Sequence, residues 1–141
     1  MINVPKNYYL AHPLASRHEV RKWELSFETR AGIQLLNPFY DVHRPDIEDL
    51  DSNIQNPRVK DYIRIVEDDL GLLRSQEGLL CFLDNNPTIG VYQEMVYGFL
   101  DKKIVHTIVR EQLMTHTWIN YHSKKMFRSL EEFEEFVVRN S

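Results

Sequence analysis

The chain has 141 residues, 43% of them hydrophobic, and its 17 basic and 21 acidic side chains give a net charge of −4. That supplies one domain spanning residues 1–141 with one core, and the lack of a basic stripe excludes a nucleic-acid polymer as the expected partner. The lone Cys81 excludes an internal disulfide and a multi-cysteine metal site; with no membrane-length apolar run and no hydrophobic region in Met1 to Lys6, a cytoplasmic protein without a membrane partner is expected.

Asn7 to Ala11 is short and rich in β formers, and it predicts the first strand, ended by His12-Pro13. Ser16 and Glu19 have the spacing of a capping box. They open a helix with Val20, Trp23 and Phe27 inward and Gly32 as its C-cap. Ile33 to Leu36 is the second strand, stopped by Asn37-Pro38. Phe39 to Asn56 reads as a loop carrying Asp41, His43, Asp46, Glu48, Asp49 and Asp51, without metal-ligand spacing. Loops of that length are uncommon unless functional, and this one overhangs the carboxyl end of the second strand.

Pro57 to Leu73 predicts a helix with Pro at its start and Val59, Ile63, Val66 and Leu70 as a helical stripe. Asp68 and Asp69 lie near its end, where acids oppose the helix dipole. They are either two solvated acids or a sign that one of them has another role. Leu79 to Leu83 is an unbroken apolar run, as expected of a strand covered on both faces of a parallel sheet. Asp84 to Pro87 forms a polar loop, and after Gly90 the residues Val91, Met95 and Phe99 mark a helix. Asp84, Thr88 and Glu94 are expected to face the crevice at the carboxyl ends of the strands, with Glu94 in the first helical turn. A carboxylate there is either a helix-start preference or an anionic nucleophile.

Lys103 to Val109 predicts a fourth strand, Gln112 to Trp118 one or two helical turns, and Met126 to Arg128 a brief fifth strand. Ser129 and Glu132 form a second capping box ahead of Phe133, Phe136 and Val137 in the terminal helix. The alternation of strand and helix indicates an α/β, doubly wound, flavodoxin-like sheet of about five parallel strands.

Three segments, YYLAHP, EDDLGLL and PTIGVYQEMVYG, in order and with compatible spacing, resemble the nucleoside 2-deoxyribosyltransferase family. The resemblance implies that the chain cleaves the N-glycosidic bond of 2′-deoxyribonucleosides and passes the sugar to another nucleobase, with no cofactor. It implies Glu94 as the nucleophile that carries the sugar as an ester, and Asp69 as the carboxylate that exchanges a proton with the departing base. Tyr9 is implied as the hydroxyl that steadies Glu94; without the resemblance it reads equally as a core aromatic. Cleavage builds positive charge on the sugar and negative charge on the base, so a carboxylate on one side and a proton donor on the other is coherent chemistry.

The family typically carries an Asp six positions before the nucleophile, where this chain has Thr88. A small hydroxyl residue there resembles the related 2′-deoxynucleoside 5′-monophosphate N-glycosidases, since a hydroxyl and helix-start N–H groups suit a phosphate that an Asp would repel. Ser16 and Arg17 are either a cap and a surface cation or further phosphate contacts; Asp84 is available for the sugar, and His12 and Gly90 belong to the same substrate side. In MTHTWINYH the family's segment reaching a neighbouring subunit's site fails to match. Met114, His116, Trp118 and Asn120 are candidates there, against a core Trp and an exposed His. The implied partners are a nucleoside or nucleotide, a free nucleobase and further copies of the chain in a homo-oligomer with shared sites. A non-catalytic flavodoxin-like module, a phosphoacceptor receiver or flavin binder, would want an acid pair or a glycine-rich phosphate loop after the first strand, and Ala11-His12-Pro13 stands there instead.

Overall fold

A computed structural model describes residues 2–41, 62–83 and 89–141. Its strands are β1 (Asn7–Ala11), β2 (Gln34–Leu36), β3 (Gly78–Leu83), β4 (Ile104–Val109) and β5 (Lys125–Phe127). The helices are α1 (Arg17–Ala31), α2 (Tyr62–Arg74), α3 (Ile89–Leu100), α4 (Thr117–His122) and α5 (Leu130–Arg139). All neighbouring strands run parallel in the order β2-β1-β3-β4-β5, the flavodoxin-like order of a doubly wound sheet.

Every residue of β3 is buried, which is why its sequence shows no polar face. In β1, alternation divides two cores. Tyr8 and Leu10 join Val20 and Phe27 of α1 and Phe133, Phe136 and Val137 of α5. Tyr9 and Ala11 face the opposite layer with Leu73 of α2, Val91 and Met95 of α3 and Ile119 of α4. Cys81 is fully buried in that second layer, a small core hydrophobe. Gly32 ends α1 with φ 68° and donates its N–H to the Glu28 carbonyl at 3.0 Å, the left-handed C-cap that glycine adopts without a Cβ clash. At α5 the forward half of the expected capping box forms, and the return bond goes to the residue before the N-cap. Ser129 Oγ accepts from the Glu132 N–H at 3.0 Å, and Glu132 Oε2 accepts from the Arg128 N–H at 3.4 Å.

Several local expectations are corrected. Ser16 occupies the N-cap position of α1 but makes no side-chain capping bond; it closes a 3-10 turn, Leu14–Ser16, that leads into the helix. Between β4 and β5 the one or two helical turns expected over Gln112 to Trp118 are a 3-10 turn, Glu111–Leu113, followed by α4, which runs past Trp118 to His122. In α2 the stripe read from the sequence faces outward at its described residues: Ile63 is 56% and Val66 51% exposed, and Leu70 is half-buried. The arc through Ile65, Asp69, Leu72 and Leu73 turns to the sheet instead, with Leu73 fully buried. Both arcs are largely apolar, so periodicity alone leaves open which one packs. The beginning of the predicted helix at Pro57 and most of the acid-bearing loop lie outside the described residues.

Candidate active site

Tyr9 lies centrally in the sheet, paired in register with Leu36 of β2 and Leu79 of β3, and is fully buried. Glu94 sits on α3 between the buried residues Val91 and Met95. A position three after one core residue and next to another lies on the helix's inward side. The half-buried Glu94 therefore reaches β1, where the Tyr9 hydroxyl donates a hydrogen bond to its Oε2. Burial, and then the Glu94 carboxylate itself, hold the Cys81 thiol well above its ordinary pKa, so the negative charge is felt at β3 too. The expected first-turn position of Glu94 is corrected: α3 begins at Ile89 and carries no acid in its first turn. The carboxylate stands in the second turn, where the dipole falls off, and is held by Tyr9 instead.

Asp69 is on the sheet-facing arc of α2, one turn before the buried Leu73, and its Oδ1 is out of contact with solvent. It thus shares with Tyr9 and Glu94 the layer formed by α2, α3 and the sheet. Gly90 is the exposed second residue of α3. Asp84 and Thr88 lie outside the described residues.

Past the ends of β1 and β2 lies a buried polar network. His12, 4% exposed, places Nδ1 at 3.1 Å from the Pro13 carbonyl oxygen and Nε2 at 3.1 Å from Asn37 Oδ1. Its ring packs on Phe39 at a centroid distance of 4.9 Å. Asn37 Nδ2 donates to Glu24 Oε1 at 2.6 Å, Arg21 Nη1 donates to the same oxygen at 3.1 Å, and Asp41 Oδ2 accepts from the Asn37 N–H at 2.7 Å. Burial pushes the Glu24 carboxyl above its ordinary pKa, against the pull of Asn37 and Arg21. Ser16 is buried beside this loop, and Arg17 Nη1 donates to the Leu14 carbonyl at 3.0 Å.

The α4 candidates are not brought to Tyr9 and Glu94. His116 is exposed at the start of α4, and Trp118 is 70% exposed and stacks on His122. Neither makes a polar or ring contact with Tyr9 or Glu94, so the alternative of a core Trp is corrected as well. Asn120 Nδ2 donates to the Met114 and His116 carbonyls, a bracing of its own turn. Sequence reasoning missed Glu24 and Asn37. A signal existed: Glu24 falls on the Val20 and Phe27 stripe of α1, and a carboxylate on a buried stripe needs a partner. Among the described residues no group of three or more His, Cys, Asp and Glu could hold a metal ion, and no described helix is long and apolar enough to cross a membrane.

No protein-family model matches the chain, and no curated protein does. Solved structures do. The 2-deoxyribosyltransferase of the psychrotolerant bacterium Bacillus psychrosaccharolyticus superposes with a TM-score of 0.68 at 15% identity, covering 91% of this chain and 90% of that one. A conserved protein from Enterococcus faecalis V583 gives 0.63 at 13% identity over 96% and 98%. The CMP N-glycosidase of Clostridium botulinum gives 0.58 at 12% identity over 96% and 99%. These include the kinds of enzyme that the three sequence motifs resemble, and the chain has their doubly wound α/β fold.

Proposed function

We propose that the chain is an N-glycosyl transferase that takes 2-deoxyribose from one nucleobase and gives it to another. The observation that carries this reading is the hydrogen bond from a fully buried tyrosine, Tyr9, to the carboxylate of Glu94. With Oε2 engaged by Tyr9, Glu94 Oε1 attacks the anomeric carbon and forms an ester to the sugar as the bond to the base breaks. The departing base keeps the bonding electron pair and takes a proton from the Asp69 carboxyl, whose placement against the sheet suits that exchange. An incoming base then attacks the same carbon, releases the Glu94 carboxylate and returns a proton to Asp69. The working unit in this reading is a homo-oligomer.

A second reading is favoured by Thr88, which stands six positions before Glu94 where the transferases typically hold an Asp. On it, the substrate is a 2′-deoxynucleoside 5′-monophosphate and water takes the sugar, with the Thr88 hydroxyl and nearby backbone N–H groups around the phosphate. Incubation with deoxyinosine and free adenine, and separately with a deoxynucleoside monophosphate alone, separates the two. Deoxyadenosine formed in the first mixture supports transfer; free base released only in the second supports hydrolysis. Glu94→Gln should abolish either activity and leave the far-ultraviolet circular dichroism unchanged, because the amide keeps the shape and loses the attacking charge. Near wild-type turnover in that variant would remove Glu94 from the role of nucleophile.

A further inference from the structure

The amino ends of β4 and β5 border a cavity of about 600 Å³, within the roughly 300–1,000 Å³ of small-molecule sites. Its walls are largely apolar, supplied by Ile2 ahead of β1, Ile104 at the start of β4 and Phe136 of α5. Three basic side chains stand among them: His106 of β4, Lys125 of β5 and Lys124 just before it. No described carboxylate lines the cavity; Glu132 and Glu135 of α5 line the neighbouring groove instead. Lys125 is paired in register with His106, and its ammonium lies 5.5 Å from the centre of the Phe136 ring. Neither lysine makes an ion pair among the described residues.

His106 gives the cavity a directed donor. The Tyr8 side chain is fully buried, and burial, then Glu77, hold its pKa well above the ordinary phenol value, so the hydroxyl keeps its proton. A buried hydroxyl needs an acceptor, and His106 Nδ1 stands 2.8 Å from it. Burial, then Lys125 and Lys124, keep the His106 ring neutral. A neutral imidazole that accepts at Nδ1 carries its proton on Nε2. Nε2 has no hydrogen-bond partner among the described residues, and the cavity that His106 lines is where it can find one.

We propose that this cavity binds a small amphipathic carboxylate, its head between the His106 N–H and the two lysine ammoniums and its body against Ile2, Ile104 and Phe136. A carboxylate has two acceptor oxygens, one for the imidazole and one for an ammonium, and both bonds are charge-assisted. A neutral apolar ligand would leave the lysines unanswered, and a bare inorganic anion would leave the apolar walls unused. The site lies in the layer of α1 and α5, away from Tyr9 and Glu94, so its occupancy is independent of the chemistry proposed above.

Magnetic-resonance titration of the isotope-labelled full chain with octanoate tests the site, with octanol as the neutral counterpart. Octanoate should saturate at millimolar concentration or below and move the His106 Nε2 and Ile104 amide resonances. It should bind at least about tenfold more tightly than octanol, the difference expected of a charge-assisted bond. Lys124→Gln combined with Lys125→Gln should weaken octanoate about tenfold at unchanged circular dichroism. Lys22→Gln combined with Lys102→Gln, at exposed lysines outside the cavity, should leave its affinity as it was. Octanol binding as tightly as octanoate, millimolar octanoate that moves neither resonance, or an affinity that the Lys124 and Lys125 changes leave intact would overturn the proposal.

Discussion

Tyr9 is a strand residue buried to the last atom, and its hydroxyl has gone to a carboxylate on a helix. Ordinary core packing would be served as well by phenylalanine, and a buried hydroxyl requires a partner; the pair therefore ties a catalytic candidate to a strand flanked on both sides within the sheet. Asp69 is held differently, on a helix that packs lightly. Its proposed task as proton donor leads to a selective defect: Asp69→Asn should slow substrates with poor leaving bases far more than those with good ones, because the former depend most on protonation. Steady-state rates across a series of bases check this, and an equal loss for all would make Asp69 a structural residue. From the residues alone Tyr9 read equally as a core aromatic and Asp69 as a solvated acid near a helix end, so it was the family resemblance that implied a role for either. Glu24 and Asn37 were not legible, because an acid in a charged helix and an Asn before a Pro each have a commoner explanation, a solvated face and a turn.

At the scale of elements, strands were the easiest to read. β3 has no polar position and β1 alternates between two cores, so composition and period agreed with the sheet. In α2, Ile63, Val66 and Leu70 form as good a stripe as the arc that packs, so the period alone marked a helix and left its inward face open. Helix starts shifted where local turns intervened, at Ser16 and before α4. The same helix offers a test of its solvent side. Gly71 lies in the interior of α2, exposed, and an added Cβ would meet nothing within 4 Å. Gly71→Ala should therefore stabilise the chain by roughly 0.5–1 kcal/mol through reduced backbone entropy in the unfolded state and better helix propensity. Urea denaturation checks the direction. A destabilised variant would mean that this surface is occupied even in the isolated fold.

For the whole molecule, the layer opposite the candidate site contains a pH-sensitive element of stability. His106 is 2% exposed, with Nδ1 at 2.8 Å from the Tyr8 hydroxyl. Burial first, and then Lys125 and Lys124, lower its pKa from 6.5 to about 4. The folded chain thus keeps His106 neutral where the unfolded chain takes up a proton. This contribution is complete above pH 6.5, is lost as the pH falls from 6.5 toward 4, and levels off below; its full size is on the order of 3 kcal/mol. Urea midpoints at pH 7.5 and 4.5 should drop more for the wild type than for His106→Phe, and equal drops would contradict the assignment. That element lies in the layer of α1 and α5, away from Tyr9 and Glu94, so its titration is expected to act on folding and leave the proposed chemistry alone.

The function proposed above turns on one event, a covalent ester between Glu94 and a deoxyribosyl group. Mass spectrometry of the protein after incubation with a 2-fluorinated deoxyribonucleoside, which slows release of such an ester, observes it directly. The predicted result is a peptide containing Glu94 heavier by one fluorinated sugar and absent from Glu94→Gln; an unmodified chain during turnover, or a sugar carried on another residue, would contradict the account.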